Sequence, residues 1–74
     1  MSAFEASMKL RALDRELARA RSTMFNAADR LMAACERFPR WNLTIEKLHL
    51  AHEEAGRRYD AVMARMKALL VVEG

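Results

Sequence analysis

One proline divides this chain into two long runs of residues that favour helices. Pro39 disfavours the α conformation at Phe38, so a helix in the first run has to end there. Both runs are rich in Ala, Leu, Arg, Glu and Met and poor in β-branched residues, which argues against strands. Asn42 and Thr44 are alternative caps for the start of the second helix. We predict an all-α protein with helix 1 at about 3–38, a turn at 39–43 and helix 2 at about 44–72.

Both runs carry a heptad repeat of apolar residues, the pattern of helices that pack side by side. A 3-4 spacing kept over this length indicates packing at about 20° between the helix axes. In helix 1 the two seams are Ala3, Leu10, Leu17, Met24, Leu31, Phe38 and Ala6, Leu13, Ala20, Ala27, Ala34. In helix 2 they are Ile45, His52, Tyr59, Met66 and Leu48, Ala55, Val62, Leu69.

The short turn makes the two helices antiparallel neighbours. When the chain folds there, seam residues of one helix meet seam residues of the other, in pairs whose numbers add to 82 or 83. The seam pair with the smallest side chains is Ala27 with Ala55, next to Gly56. We expect the two helices to approach each other most closely at this pair. The sequence therefore predicts a coiled-coil-like helical hairpin that forms a single domain over residues 1–74.

Some apolar residues are left over once one hairpin has formed. Phe25, Ala28, Met32 and Cys35 make a further row at spacings of three and four, called here the Phe25 stripe. Helix 2 adds Leu50, Met63 and Leu70. Such a patch is large for a monomer, and a chain of this length has a marginal core. We predict that two copies pair through the stripe into a homodimeric four-helix bundle, with a separate protein partner as the alternative occupant.

Composition excludes several classes of protein. With 53% hydrophobic residues, the chain is too apolar to be disordered. No uncharged apolar run approaches the ~18 residues of a membrane span. Glu5 stands where a signal peptide has a basic flank, and no apolar segment follows it. We therefore expect a cytoplasmic protein without membrane contact, or one in the host cytoplasm if a phage encodes it, in which Cys35 stays reduced.

Nothing in the residue pattern indicates catalysis or a bound cofactor. His49 and His52 lie three residues apart with Glu53 nearby, but no third ligand converges on them. We interpret His52 as a seam histidine that packs in the core or sets the helix register. Cys35 has no activating base that the spacing places beside it, so we interpret it as a small buried apolar residue. We expect no enzymatic activity, no metal ion and no cofactor.

The net charge of +3 is concentrated at the open end of the predicted hairpin. Residues 9–21 and 57–67 each carry a net +3, whereas residues 22–56 carry −1. Basic residues there are candidates for contact with phosphate or with an acidic protein surface, and a solvated face is the alternative. Trp41 in the turn is a candidate binding anchor, and the alternative is that it covers the Phe38–Ile45 layer. The partner-binding candidates are Arg11, Arg15, Arg19, Arg58, Arg65 and Trp41.

Three functions remain open for such a chain. The first is a small non-enzymatic regulator that binds another protein and inhibits or modulates it. Short helical proteins rich in Ala and Arg are often encoded by phages and other mobile elements, where such a regulator acts as an inhibitor or anti-activator. The second is a dimeric hairpin that binds RNA loops or DNA through its basic end. In size and architecture the chain is similar to the plasmid repressor-of-primer proteins, dimeric hairpins that bind paired RNA loops, although this likeness carries over no residue. The third is a structural or assembly adaptor.

Overall fold

The computed structural model describes residues 2–73, with the side chains of residues 2–71, and these residues form two α-helices. Helix α1 spans Ala3–Arg37 and helix α2 spans Leu43–Glu73. The two pack against each other as a hairpin with overall extents of 55 × 15 × 14 Å. The predicted all-helical hairpin is confirmed, and over residues 2–73 no strand is present. Helix α1 ends one residue before its expected limit, and α2 begins one residue earlier.

Local hydrogen bonds set both ends of α1. The Ser2 hydroxyl accepts the N–H of Glu5 at 3.1 Å, and the Ser2 carbonyl accepts the N–H of Ala6 at 3.0 Å. At the other end, Phe38 is extended, with φ −110° and ψ 126°, as expected for a residue before proline. Its N–H still donates to the Ala34 carbonyl at 2.9 Å, which closes the last turn of the helix.

Asn42 caps the start of α2. Its side-chain Oδ1 accepts the N–H of Ile45 at 2.9 Å, and its carbonyl accepts the N–H of Glu46 at 2.9 Å. The side-chain bond satisfies one of the backbone donors that every helix N-terminus leaves without partners inside the helix, and the carbonyl bond is the first regular hydrogen bond of the helix. Of the two alternative caps, the structure therefore selects Asn42, and Thr44 lies inside the helix.

The core follows the heptad seams. Its buried side chains are Ala6, Leu13, Leu17, Ala20, Ala34, Ile45, Ala55 and Val62, all of them at predicted seam positions. Leu13, Leu17 and Val62 form the central cluster, against which Tyr59, Met66 and Leu69 pack. The other described seam residues are half-buried, with the exception of Ala3, which is exposed. The predicted seams are thus confirmed from Ala6 to Leu69.

This core is thin, because two helices make only one layer of contact. No large side chain among the described residues is fully buried. The chain exposes 5889 Å² of accessible surface. A compact monomer of 8.5 kDa exposes about 4,700 Å², so this chain carries an excess of roughly 1,200 Å². Neither helix, within the residues described, has an apolar stretch long enough to cross a membrane.

Candidate protein-binding surfaces

An ion pair between the helices marks one side of the hairpin. Arg65 Nη1 donates to Glu16 Oε1 at 3.1 Å; the Arg65 side chain is exposed and the Glu16 side chain is half-buried. Since nine residues make about two and a half helical turns, a residue nine positions away projects from the opposite side of its helix. Phe25 follows Glu16 by nine positions, and Gly56 precedes Arg65 by nine. Phe25 and Gly56 therefore lie together on the side of the hairpin opposite the ion pair.

The Phe25 stripe is left uncovered by the hairpin. Phe25 is 57% exposed and Met32 62% exposed. Cys35 is also exposed, and Ala28 is half-buried. The interpretation of Cys35 as a small buried residue is therefore wrong for the single chain, because α2 packs on the seam side of α1 and does not reach this stripe.

Helix α2 contributes apolar residues to the same side. Met63 and Leu70 follow Gly56 by seven and fourteen positions, which places them within about 40° of its direction. They are 41% and 53% exposed. Leu50 is also exposed but precedes Gly56 by six positions, so it projects about 120° away. We call the combined surface the apolar face, made of the Phe25 stripe together with Gly56, Met63 and Leu70.

The candidate arginines do not form a single patch. Arg15 lies two positions from buried Leu13 and two from buried Leu17, so it projects directly away from the core. Arg11 and Arg19 are exposed on either side of it, along the outer surface of α1. The candidates on α2 instead border the groove between the helices. There Arg65 is engaged by Glu16, and Arg58 lines a depression together with Thr23.

Two side chains hold Trp41 in place at the turn, and most of the residue stays exposed to solvent. The indole N–H donates to Glu46 Oε2 at 2.6 Å. The ring meets His49 edge to face, with centroids 5.5 Å apart, and His49 Nε2 lies 2.9 Å from Glu53 Oε1. Trp41 nevertheless remains 59% exposed. Because His49 precedes Gly56 by seven positions, Trp41 borders the turn end of the apolar face.

The titratable side chains and surface grooves of the described residues offer no metal site. Over this part of the chain, no three His, Cys, Asp or Glu residues come together to hold a metal ion. His49 is occupied by Glu53, and His52 is half-buried on its seam. The depressions in the surface are open grooves; one of them, lined by Lys9, Leu13 and Glu16 among others, follows the ion-pair side.

Comparison with known proteins gives this chain no family. No protein-family model, no curated protein and no solved structure matches it. The roles of the apolar face, the arginines and Trp41 are therefore inferred from their own geometry and chemistry.

Proposed function

We propose that two copies of the chain pair through the Phe25 stripe into a four-helix bundle. The support is the exposure of Phe25 and Met32 in one continuous row. The surface excess of roughly 1,200 Å² per chain adds to it, since a chain with so thin a core gains stability from a partner that covers part of its surface. A twofold axis places the same patch on both sides of the contact, so one apolar row is sufficient.

Sedimentation equilibrium of the purified chain tests this pairing. We expect the mass of two chains at micromolar concentration. A single-chain mass up to the millimolar range contradicts the dimer. Particles larger than a dimer favour the third function, a structural or assembly subunit.

We infer further that the dimer is a non-enzymatic regulator that binds another protein and inhibits or modulates it by covering a functional surface. The observation that carries this inference is Trp41, a large aromatic ring that two side chains hold in place yet leave exposed. Tryptophan is among the residues that dominate binding energy in interfaces, and a ring already held in place loses little conformational entropy on binding. The exposed row Arg11, Arg15 and Arg19 offers charged contacts from a second surface.

Affinity purification from the source cell, followed by mass spectrometry, identifies the target. The interaction is then measured with purified target by isothermal titration calorimetry. We expect a stoichiometric complex that survives moderate salt. Purified chain that binds no protein of the source cell contradicts the regulatory function.

A nucleic-acid function is the second candidate, favoured by the exposed row Arg11, Arg15 and Arg19. It is the weaker one, because Arg65 is engaged by Glu16 and the basic side chains are divided between two surfaces. Filter binding to RNA hairpins and to duplex DNA at increasing salt distinguishes the two functions. Phosphate contacts make affinity fall steeply with salt, and charge reversal of the three arginines then abolishes binding.

A further inference from the structure

Gly56 has no evident reason to be glycine within a single hairpin. It lies in the middle of α2, where glycine weakens a helix relative to alanine. Its φ is not positive, so the backbone does not require it. A Cβ atom built there would meet no other atom within 4 Å, so packing of the hairpin does not require it either. Gly56 itself therefore makes no close contact with α1 that a side chain at this position would disturb.

The open space above Gly56 belongs to the apolar face. The residues of α2 on this side recur every seven positions: His49, Gly56, Met63 and Leu70. Glycine therefore makes a notch in a row of larger side chains. Phe25, the largest exposed side chain of α1 on this face, lies nearly level with it, since their numbers add to 81.

We infer that a second copy of this chain seats a side chain in the notch at Gly56, so that the dimer interface includes α2 as well as the Phe25 stripe. This inference rests on the proposed dimer. A helix approaches another most closely where a side chain is missing, and this gives Gly56 a role that the single hairpin does not supply.

A second copy fits this face better than a strongly charged partner does. The edges of the face carry both signs of charge: Arg21 and Lys67 are basic, and Glu53 and Asp60 are acidic. Each projects within about 60° of Phe25 or of Gly56 on its own helix. A surface that carries both signs can complement a copy of itself, whereas a surface of one sign repels its copy.

The test compares Gly56→Leu with Ala61→Leu by sedimentation equilibrium over a range of concentrations. Ala61 is an exposed residue of the same helix that projects about 140° from Gly56, toward the ion-pair side. We expect Gly56→Leu to weaken dimerisation at least tenfold, and Ala61→Leu to leave the dissociation constant within twofold of wild type. Circular dichroism checks that both variants keep the helix content of wild type.

A labelling experiment covers the case in which Gly56→Leu fails to fold. Gly56→Cys and Ala61→Cys are each made together with Cys35→Ser, and maleimide labelling is followed below and above the dimer dissociation constant. We expect dimerisation to slow labelling at position 56 at least tenfold and to leave the rate at position 61 unchanged. Equal labelling rates at position 56 in monomer and dimer overturn the inference.

The outcomes separate this inference from the dimer on which it rests. If wild type stays monomeric at every concentration, the proposed dimer itself fails. If wild type dimerises and Gly56→Leu dimerises equally well, the dimer stands and the role of Gly56 is refuted. If Gly56→Leu and Ala61→Leu weaken the dimer to the same extent, the notch is not what the second copy recognises.

Discussion

Trp41 and Glu46 are joined by a hydrogen bond of 2.6 Å from the indole N–H to a carboxylate oxygen. This bond spans the start of α2 and, together with the edge-to-face contact on His49, keeps the indole at the end of the hairpin. More than half of the residue stays exposed, so the contact positions the ring without burying it. A ring in this state contributes little to folding and is available to a partner.

We expect Trp41→Ala to reduce affinity for the protein target at least tenfold and to change the free energy of unfolding by less than about 1 kcal/mol, since the ring is exposed. Leu43→Ala is the matched control, because Leu43 is an exposed apolar residue near the same turn. Calorimetry with the target and urea denaturation supply the two measurements. Equal affinity for Trp41→Ala and wild type excludes Trp41 as the anchor.

Substitution within the Phe25 stripe is predicted to separate the copies. Phe25→Glu together with Met32→Glu places two charges in the proposed interface, and we expect a monomeric or unfolded chain. Leu50→Glu is the control, since Leu50 is similarly exposed but projects away from the apolar face. Sedimentation velocity measures whether each variant is a monomer or a dimer. A double variant that sediments like wild type removes the Phe25 stripe from the interface.

Leu17 is predicted to carry a large share of the stability of the hairpin. It is buried in the cluster with Leu13 and Val62, and Leu17→Ala removes its contacts and leaves a cavity, which costs about 2–4 kcal/mol. Leu50→Ala makes the same chemical change at an exposed site and is expected to cost less than about 1 kcal/mol. Urea denaturation is done at one fixed protein concentration, because dimerisation adds to apparent stability. Similar losses for the two variants would mean that the core lies elsewhere.

Asn42→Ala is predicted to remove the cap of α2 at a cost of about 1 kcal/mol, because the N–H of Ile45 loses its acceptor. Asn42→Asp keeps an acceptor oxygen and is expected to retain most of the stability. Thr44→Ala serves as the control, since Thr44 lies inside the helix. The free energies come from thermal and urea unfolding. If the Thr44 variant loses more stability than the Asn42 variant, the cap is assigned to the wrong residue.

The heptad pattern predicts the fold well because it is a local property of each helix. Every buried side chain among the described residues stands at a seam position read from apolar spacing, and the turn contains Pro39. The exposure of Phe25 and Met32 was predictable for the same reason, since they fall outside both seams. The cap was predictable only as one of two residues, because Asn42 and Thr44 have equally suitable side chains and only the backbone geometry distinguishes them.

The ion pair between the helices was not predictable from the sequence. Glu16 has a local candidate partner in Arg19, three residues along, yet it binds Arg65, which is 49 residues away. The choice depends on how far each helix is rotated about its axis, and packing of the seams sets that rotation. The environment of Gly56 depends on the same rotation, so its space on the apolar face is visible only in three dimensions.

By itself, then, the sequence determined the two helices, their seams and the turn, because helix propensity, apolar spacing and the geometry before proline act over a few residues. Only the tertiary structure decided which side of the hairpin carries the Arg65–Glu16 pair, and Phe25 and Gly56 lie opposite that pair. It also decided that Trp41 is held by Glu46 and His49 and not buried. These relationships depend on the position of one helix relative to the other, which no local pattern specifies.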